Sequence, residues 1–297
     1  MTTASTFDEQ MERVTAGERL SDTDISELAS APDILPLGML ADTARRRRHG
    51  ARTTFLRVAT YPLDATFGEA VPPQAKEIRI TGSPQDLSQA LGVLDRVQRA
   101  GAGRTISAFS WTDVERVAGG AQKPMHEVLS ALRGAGLDAF VELPLDRMGD
   151  IDGAVDSLAA AGFERLRLTI DTIAADERTA LFFRAQQVQR RLGCIHAINP
   201  LPMTLATFRP TTGYEDVKTV AIARLAAADV PTIQVDWLRY GPKLAQVALT
   251  FGADDIDGIS PSDDAPEGRR RAPLEEVRRN IEAAGYTPVE RDGRFAA

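Results

Sequence analysis

Short runs rich in β-branched residues alternate eight times with amphipathic stretches of helical spacing, most of which end at a glycine. This alternation is typical of βα units. The runs are Thr54 to Thr60, Glu77 to Thr81, Thr105 to Ser110, Ala139 to Leu143, Arg165 to Asp171, Cys194 to Asn199, Thr232 to Trp237 and Asp255 to Ile259. Eight such units predict an α/β fold, a (β/α)8 TIM barrel, with an open parallel sheet as the alternative.

The segment before the first run has helical spacing and helix-capping residues but no strand pattern. We therefore expect residues 1–50 to form an N-terminal helical extension, and residues 51–297 to form the barrel with a C-terminal tail. A chain of 297 residues with 43% apolar side chains can bury one large core, so a second domain is unnecessary.

Three of the runs alternate strictly between polar and apolar residues. In a parallel barrel the apolar set must face the helices, so the polar set predicts the residues that point into the lumen. These are Glu77, Arg79 and Thr81, then Arg165, Arg167, Thr169 and Asp171, then Thr232, Gln234 and Asp236. Less regular runs add Arg57, Ser107, Glu142 and Asp257.

Charged groups in a lumen must be paired or bound to a ligand, because burying an isolated charge costs several kcal/mol. One interpretation is an ion-pair network of Arg79 and Arg167 with Glu142, Asp236 or Asp257. The other is a pocket whose arginines bind a carboxylate or phosphate of a small anionic molecule in two-point fashion. The substrate-binding candidates are Arg57, Arg79, Arg167, Thr169, Gln234 and Asp257.

Four residues on separate strands are candidates for catalysis: Glu142, Asp171, His196 and Asp236. Carboxylates and an imidazole can act as general acids and bases, and together they could hold a divalent metal ion. Nothing in their spacing requires a metal, so no metal is predicted. The alternative for His196 is a hydrogen-bonded structural histidine.

Net charge is −7, from 35 basic and 42 acidic residues, so no overall positive field would attract nucleic acid or an anionic membrane. The cluster Arg45 to Arg48 has two interpretations, a solvated helix end or a patch that binds phosphate or nucleic acid. One cysteine excludes an internal disulfide and a cysteine-rich zinc site, and no apolar run is long enough to span a bilayer. We expect a cytoplasmic protein.

Four segments resemble one protein family, and they occur in the order the family has them. They are LGMLADTARRRRHG at Leu37 to Gly50, TTGYEDVKTVAIARL at Thr211 to Leu225, GPKLAQVALTFGADDIDG at Gly241 to Gly258 and AGYTPVERDGRF at Ala284 to Phe295. The family is that of the radical S-adenosylmethionine enzymes of the futalosine pathway of menaquinone biosynthesis, aminofutalosine synthase and cyclic dehypoxanthine futalosine synthase. The resemblance implies a radical SAM type barrel and a [4Fe-4S] cluster on a CxxxCxxC loop after the first strand.

The chain departs from the family at that loop. Tyr61 to Ala75 occupies its place and contains neither cysteine nor histidine. The single cysteine, Cys194, begins the sixth run, and we expect its side chain to lie in the apolar core. A [4Fe-4S] cluster is therefore not expected, nor is radical chemistry, and binding of S-adenosylmethionine stays open. Glu142 keeps the family's glutamate after the fourth strand without its glycines, and Asp263 and Asp264 stand where the family has an acidic pair.

Two functional hypotheses follow from the resemblance and the polar lumen, and neither requires the cluster. The first is a pseudoenzyme that acts as an accessory or ligand-binding protein in menaquinone biosynthesis, with a partner among the pathway enzymes. The second is a repurposed non-radical lyase or isomerase acting on a small anionic substrate. A purely structural or regulatory barrel is a third reading, so the sequence leaves open whether the chain is an enzyme.

Overall fold

The computed structural model describes residues 6–65, 71–101, 103–172, 174, 177–204, 212–267 and 271–297. Residues 66–70, 205–211 and 268–270, which follow the first, sixth and eighth predicted strands, therefore lie outside the described residues. The first of these gaps falls within Tyr61 to Ala75.

Eight parallel strands form the predicted barrel, which confirms the fold. They are β1 (Arg52–Pro62), β2 (Glu77–Thr81), β3 (Thr105–Ser110), β4 (Ala139–Glu142), β5 (Leu166–Ile170), β6 (Ile195–Pro202), β7 (Thr232–Asp236) and β8 (Asp255–Ile259). Hydrogen bonds connect them in the order β4-β3-β2-β1-β8-β7-β6-β5. A β-bridge between Pro144 and Thr169 joins the two end strands and nearly closes the cylinder. In it, the Leu145 amide donates a hydrogen bond to the Thr169 carbonyl, and the Thr169 amide donates one to the Leu143 carbonyl.

Helices precede the barrel and surround it. Those before β1 are α1 (Phe7–Ala16), α2 (Asp22–Ser30) and α3 (Leu35–His49). The others are α4 (Leu87–Gly101), α5 (Trp111–Ala121), α6 (Met125–Gly134), α7 (Ile151–Ala160), α8 (Arg178–Leu192), α9 (Gly213–Ala226), α10 (Trp237–Leu249) and α11 (Pro273–Ala283). None of the described helices combines the length and the apolar character needed to cross a membrane.

The outward faces of the strands form the apolar core beneath the helices, as the alternation predicts. Ile78 and Ile80 of β2 and Leu168 and Ile170 of β5 are at most 1% exposed. The polar residues between them point the other way, into the lumen. The repeating pattern of the sequence thus separates an apolar outer core from a polar interior.

In the cluster Arg45 to Arg48 only Arg45 is buried, whereas Arg46, Arg47 and Arg48 are exposed, so the solvated helix end describes three of its four residues. Arg45 is fully buried, and its guanidinium donates to the carbonyls of Ala253, Gly50 and Arg52 and to the Thr53 hydroxyl. Its guanidinium also stacks on Tyr286, 3.6 Å from the ring centre. The cluster therefore fastens α3 to the strands, because carbonyls exposed where β1 and β8 begin need donors. Arg47 and Arg48 likewise donate to backbone carbonyls, those of Ala16 and Val230.

A ninth strand, β9 (Thr287–Glu290), was not predicted from the sequence. It pairs in parallel with the first half of β1, with Arg52 opposite Thr287. The tail that follows turns under the barrel, where Phe295 packs on His196 with ring centres 4.1 Å apart. The amino-terminal end of the barrel, called the base below, is thus covered by the chain's own C-terminus.

Candidate functional site

The lower lumen is filled by an ion-pair network centred on Glu77, which is completely buried. Arg167 donates to its carboxylate at 2.9 Å, Arg79 at 2.7 Å and the Ser107 hydroxyl at 2.5 Å. Arg79 also bonds both oxygens of Asp257, at 3.0 and 2.9 Å. The predicted contact of Arg79 with Asp257 is present, but the partner of Arg167 is Glu77 rather than Glu142, Asp236 or Asp257.

The network holds its groups in their charged forms. Burial alone would raise the pKa of Glu77, but the positive charges of Arg167 and Arg79 lower it to about 2. Burial would likewise lower the pKa of Arg79, whereas Asp257 and Glu77 raise it. These guanidinium groups already have carboxylate partners, so they have little capacity left for an anionic ligand.

A second buried pair closes the lumen at the base. Arg291 of the tail donates to the two oxygens of Asp255 at 2.6 and 2.7 Å. The same carboxylate accepts hydrogen bonds from Thr54 at 2.5 Å and from Gln234 at 2.7 Å. Gln234, a predicted binding residue, is therefore part of the closed floor.

Arg57 does not point into the lumen, contrary to the sequence prediction. Adjacent residues of parallel strands share a face, and Val58 lies opposite the lumen-facing Glu77. Arg57 is therefore on the outer face, where it donates to Glu290 at 2.7 and 3.2 Å and lies 3.5 Å from Asp263. The prediction failed because the apolar and polar residues of β1 do not alternate, so the sequence gave no signal for its face.

Above the network lie the carboxyl-terminal ends of the strands, where several inward residues are partly or fully exposed. We call this end of the lumen the mouth, and define it by Thr60, Thr81, Val141, Glu142, Asp236 and Arg239. Thr60, Thr81 and Arg239 are exposed, and the other three are partly exposed. Side chains at this end of a barrel are those that enzymes of this architecture use, so the mouth is the candidate site.

Two carboxylates of the mouth have raised pKa values. Burial raises the pKa of Glu142, which Arg239 partly offsets. Burial and the nearby charge of Asp257 raise the pKa of Asp236, and its carboxylate accepts the Arg239 amide at 2.9 Å. Such carboxyl groups can hold a proton closer to neutral pH than ordinary ones. Arg239, which acts on both, was missed from the sequence because it lies in the first turn of α10 rather than on a strand.

Thr169 provides a second sign that the lumen accepts a polar group. Its side chain is 4% exposed, and its hydroxyl has no hydrogen-bond partner within the described residues. Thr169 follows Arg167 on the same inward face of β5, one level closer to the mouth. A buried hydroxyl without a partner costs free energy, and a bound polar molecule would remove that cost.

Of the remaining catalytic candidates, Asp171 lies close enough to Glu142 for its charge to help raise the pKa of Glu142, and His196 lies at the opposite end of the barrel. Asp171 bonds Arg147 at 2.7 Å and Thr204 at 2.6 Å on the rim. His196 lies at the base, where burial and the charges of Arg165 and Arg291 lower its pKa to about 4. Glu142, Asp171, His196 and Asp236 thus do not form one cluster, and no group of three metal-ligating side chains occurs among the described residues.

The residues present do not fit the [4Fe-4S] cluster that the resemblance implies, because three thiolates are required. Cys194 precedes β6 at the base, is 8% exposed, and burial raises the pKa of its thiol. The loop after β1 begins at the opposite end of the barrel and has no cysteine in its sequence.

Comparison with known proteins agrees with the fold and the resemblance. The family model described as the CofH/MqnC C-terminal region matches residues 203–297. The aminodeoxyfutalosine synthase of Thermus thermophilus is 25% identical over 354 aligned positions, which cover 96% of this chain and 94% of that protein. The chain resembles the futalosine-pathway radical SAM family.

A further relative is the 5-amino-6-(D-ribitylamino)uracil–L-tyrosine 4-hydroxyphenyl transferase of Archaeoglobus fulgidus. It is 29% identical over 237 positions, covering 70% of this chain and 69% of the relative. Among solved structures, methylornithine synthase (PylB) has a TM-score of 0.67 at 15% identity, covering 94% of this chain and 97% of that one. The hydrogenase maturase HydG of Carboxydothermus hydrogenoformans also has a TM-score of 0.67, at 11% identity, covering 98% of this chain and 80% of that one. These structures support the barrel fold.

Proposed function

We propose that this chain is a cluster-less relative of the futalosine-pathway radical SAM enzymes that binds a small polar molecule in the mouth of its barrel. The observation that carries the proposal is the buried Thr169 hydroxyl, which has no partner within the described residues and lies below the exposed and partly exposed residues of the mouth. The thiolates needed for a cluster are missing, so the role we assign is ligand binding, as an accessory protein in or near menaquinone biosynthesis. The similarity to aminodeoxyfutalosine synthase supports the choice of pathway, and the residues of the mouth support the choice of binding site.

The charges of the mouth favour a neutral polyol or a cation over an anion. The lumen guanidinium groups that the sequence predicted to hold an anion, those of Arg79 and Arg167, are paired with Glu77 and Asp257. The mouth carboxylates Glu142 and Asp236, by contrast, are only partly compensated by Arg239. Carboxylates accept hydrogen bonds from hydroxyl and ammonium groups. This argues against the small anionic substrate expected from the sequence.

Isothermal titration calorimetry tests the proposal with three probes: aminodeoxyfutalosine, 5-amino-6-(D-ribitylamino)uracil and S-adenosylmethionine. The first two are named for the products or substrates of the relatives. We expect at least one to bind at a single site. Asp236→Asn and Thr169→Val should each weaken binding by roughly fivefold or more, since one hydrogen bond contributes about 1 kcal/mol and a charged one more.

Matched controls are Asp156→Asn on the outside of α7 and Thr287→Val on β9, and neither should change the affinity. Absence of binding by all three probes, or equal affinity of the mouth variants and the wild type, would contradict the proposal. Anaerobic reconstitution with iron and sulfide should leave the protein without stoichiometric iron.

A second candidate function is a non-radical lyase or isomerase that uses the mouth carboxylates as acid and base. The raised pKa values of Glu142 and Asp236 favour it, since a general acid must hold its proton near the working pH. Turnover of a bound probe that is lost in Glu142→Gln with little change in binding would distinguish catalysis from binding alone.

A further inference from the structure

A cleft of about 350 Å³ opens at the base of the barrel, at the opposite end from the mouth. It lies between the segment that leads into β2, the start of β3 and the tail after β9. Lys76, Arg104 and Arg294 contribute positive charges to its lining, and Asp292 contributes the one acidic group. A volume of this size is within the range of small-molecule pockets, about 300–1,000 Å³.

Arg104 is held in place without an acidic partner. Its guanidinium donates to the carbonyls of Ala75 at 2.9 Å, Gly101 at 3.0 Å and Pro73 at 3.5 Å. A guanidinium has five N–H donors, so about two remain available for a ligand. No carboxylate lies within ion-pair distance of Arg104 in the described part of the chain. Its positive charge is fixed beside the cleft and uncompensated.

The other charges of the cleft leave it with a positive balance. The Lys76 side chain is exposed, and its ammonium group has no hydrogen bond or ion pair among the described residues. Arg294 makes a long contact of 3.4 Å with Asp138, and its side chain is 62% exposed. The Asp292 carboxylate accepts the amides of Arg294 and Ala296, both at 2.8 Å, and so is directed into the backbone of the tail.

We propose that this basal cleft binds a small multivalent anion of the phosphate class. A guanidinium with free donors and an exposed ammonium in the same cleft match the charge and hydrogen-bonding needs of a phosphate group. The paired arginines of the lumen cannot offer this, because carboxylates already occupy them. The cleft is therefore a second binding site, independent of the ligand proposed for the mouth.

Inorganic pyrophosphate is the probe for this site, titrated by calorimetry with sodium chloride at matched ionic strength as the blank. We expect one site in the wild type. Lys76→Gln should weaken binding roughly fivefold, and Arg104→Gln by about tenfold or more. Lys123→Gln, an exposed lysine on a different surface, should bind as the wild type does. The Lys76 side chain has no partner among the described residues, so we expect Lys76→Gln to fold normally. It therefore tests the site even if Arg104→Gln folds poorly.

Three results would overturn the proposal: no saturable binding of pyrophosphate, binding unchanged by Lys76→Gln, or an equal loss in Lys123→Gln. The last would show general charge attraction rather than a site. Asp236→Asn at the mouth should leave pyrophosphate affinity unchanged, so a failure here is distinct from a failure of the proposed function.

Discussion

Glu77 is the residue on which the lower lumen depends, because one carboxylate receives two guanidinium groups and a hydroxyl. A buried ion pair adds little net stability when complete, since desolvation offsets the attraction. Losing one member is different, because the other charges stay buried without compensation. The network should therefore be sensitive to single changes at Glu77.

Glu77→Gln should lower the free energy of unfolding by about 3–5 kcal/mol, because Arg167 loses its carboxylate partner. Arg79 keeps Asp257, so the loss should not include its full charge. Urea unfolding followed by circular dichroism measures the change. Glu164→Gln, an exposed glutamate near the start of β5, is the matched control and should shift the unfolding free energy by less than about 0.5 kcal/mol. An equal effect of the two variants would refute the role given to Glu77.

Alternation along a strand predicted which residues enter the lumen, but not their partners. The pattern of β2 placed Glu77 and Arg79 correctly on the inner face, and that of β5 did the same for Arg167. Pairing depends on how strands meet across the cylinder, which a local pattern does not contain. Arg57 was misplaced for the opposite reason: β1 lacks alternation, and only its register with β2 fixes the face.

At the scale of elements, α3 connects the N-terminal helices to the barrel. Arg45 is buried and donates to backbone carbonyls near the starts of β1 and β8, and the exposed Arg48 donates to one before β7. From the sequence, a run of four arginines at a helix end indicates exposure to solvent. The local sequence does not show that backbone carbonyls from distant strands will accept hydrogen bonds from some of them. The contacts form only when the barrel brings residues about 200 positions apart together.

Arg45→Met should destabilise the protein by about 2–4 kcal/mol, because several buried carbonyls would lose their donor. Arg47→Met on the same helix removes an exposed side chain that donates to the Ala16 carbonyl, and should cost less than about 1 kcal/mol. Hydrogen exchange should also become faster in α1 to α3 in the Arg45 variant alone. Similar stability and exchange in the two variants would mean that α3 does not depend on this contact.

The ninth strand shows where element prediction from sequence ends. TPVE contains proline and too few apolar residues for a strand signal. It becomes a strand because the first half of β1 extends beyond β2 and offers unpaired backbone groups there. Tertiary context therefore determines β9, and with it the tail that places Arg291 under the lumen.

At the scale of the molecule, the two ends of the barrel differ in charge. The mouth has the carboxylates Glu142 and Asp236 with raised pKa values, while uncompensated positive charge of Lys76 and Arg104 lies at the base. The ion pairs of Glu77 and Asp255 separate the two ends. Ligands of different charge are therefore expected at opposite ends, which the paired binding experiments address.

Acid should weaken the whole fold through a buried carboxylate and through buried histidines, over two adjoining ranges of pH. The pKa of Glu77 is lowered to about 2 from 4.5, so the stability it contributes is present above pH 4.5 and is lost as the pH falls toward 2. Burial lowers the pKa values of His49 and His196 from 6.5 to about 4. The stability that these two histidines contribute is present above pH 6.5 and is lost as the pH falls toward 4. Over this range the imidazoles of the unfolded chain become protonated, whereas those of the native protein stay neutral.

His196→Phe should therefore make stability less dependent on pH between 6.5 and 4, by up to about 3 kcal/mol across that range. Phenylalanine retains a ring against Phe295 but cannot be protonated, so packing at the base is preserved while the titration is removed. Urea unfolding at several pH values measures the slope. His126→Phe, at an exposed position, is the control and should keep the wild-type slope. Glu142 and Asp236 have the opposite effect on the pH dependence, since a carboxyl with a raised pKa stabilises the fold when protonated. Both residues are present in the wild type and in the two variants, so they do not affect the comparison. An unchanged slope in His196→Phe would show that the imidazole is solvated, and that the tail does not seal the base.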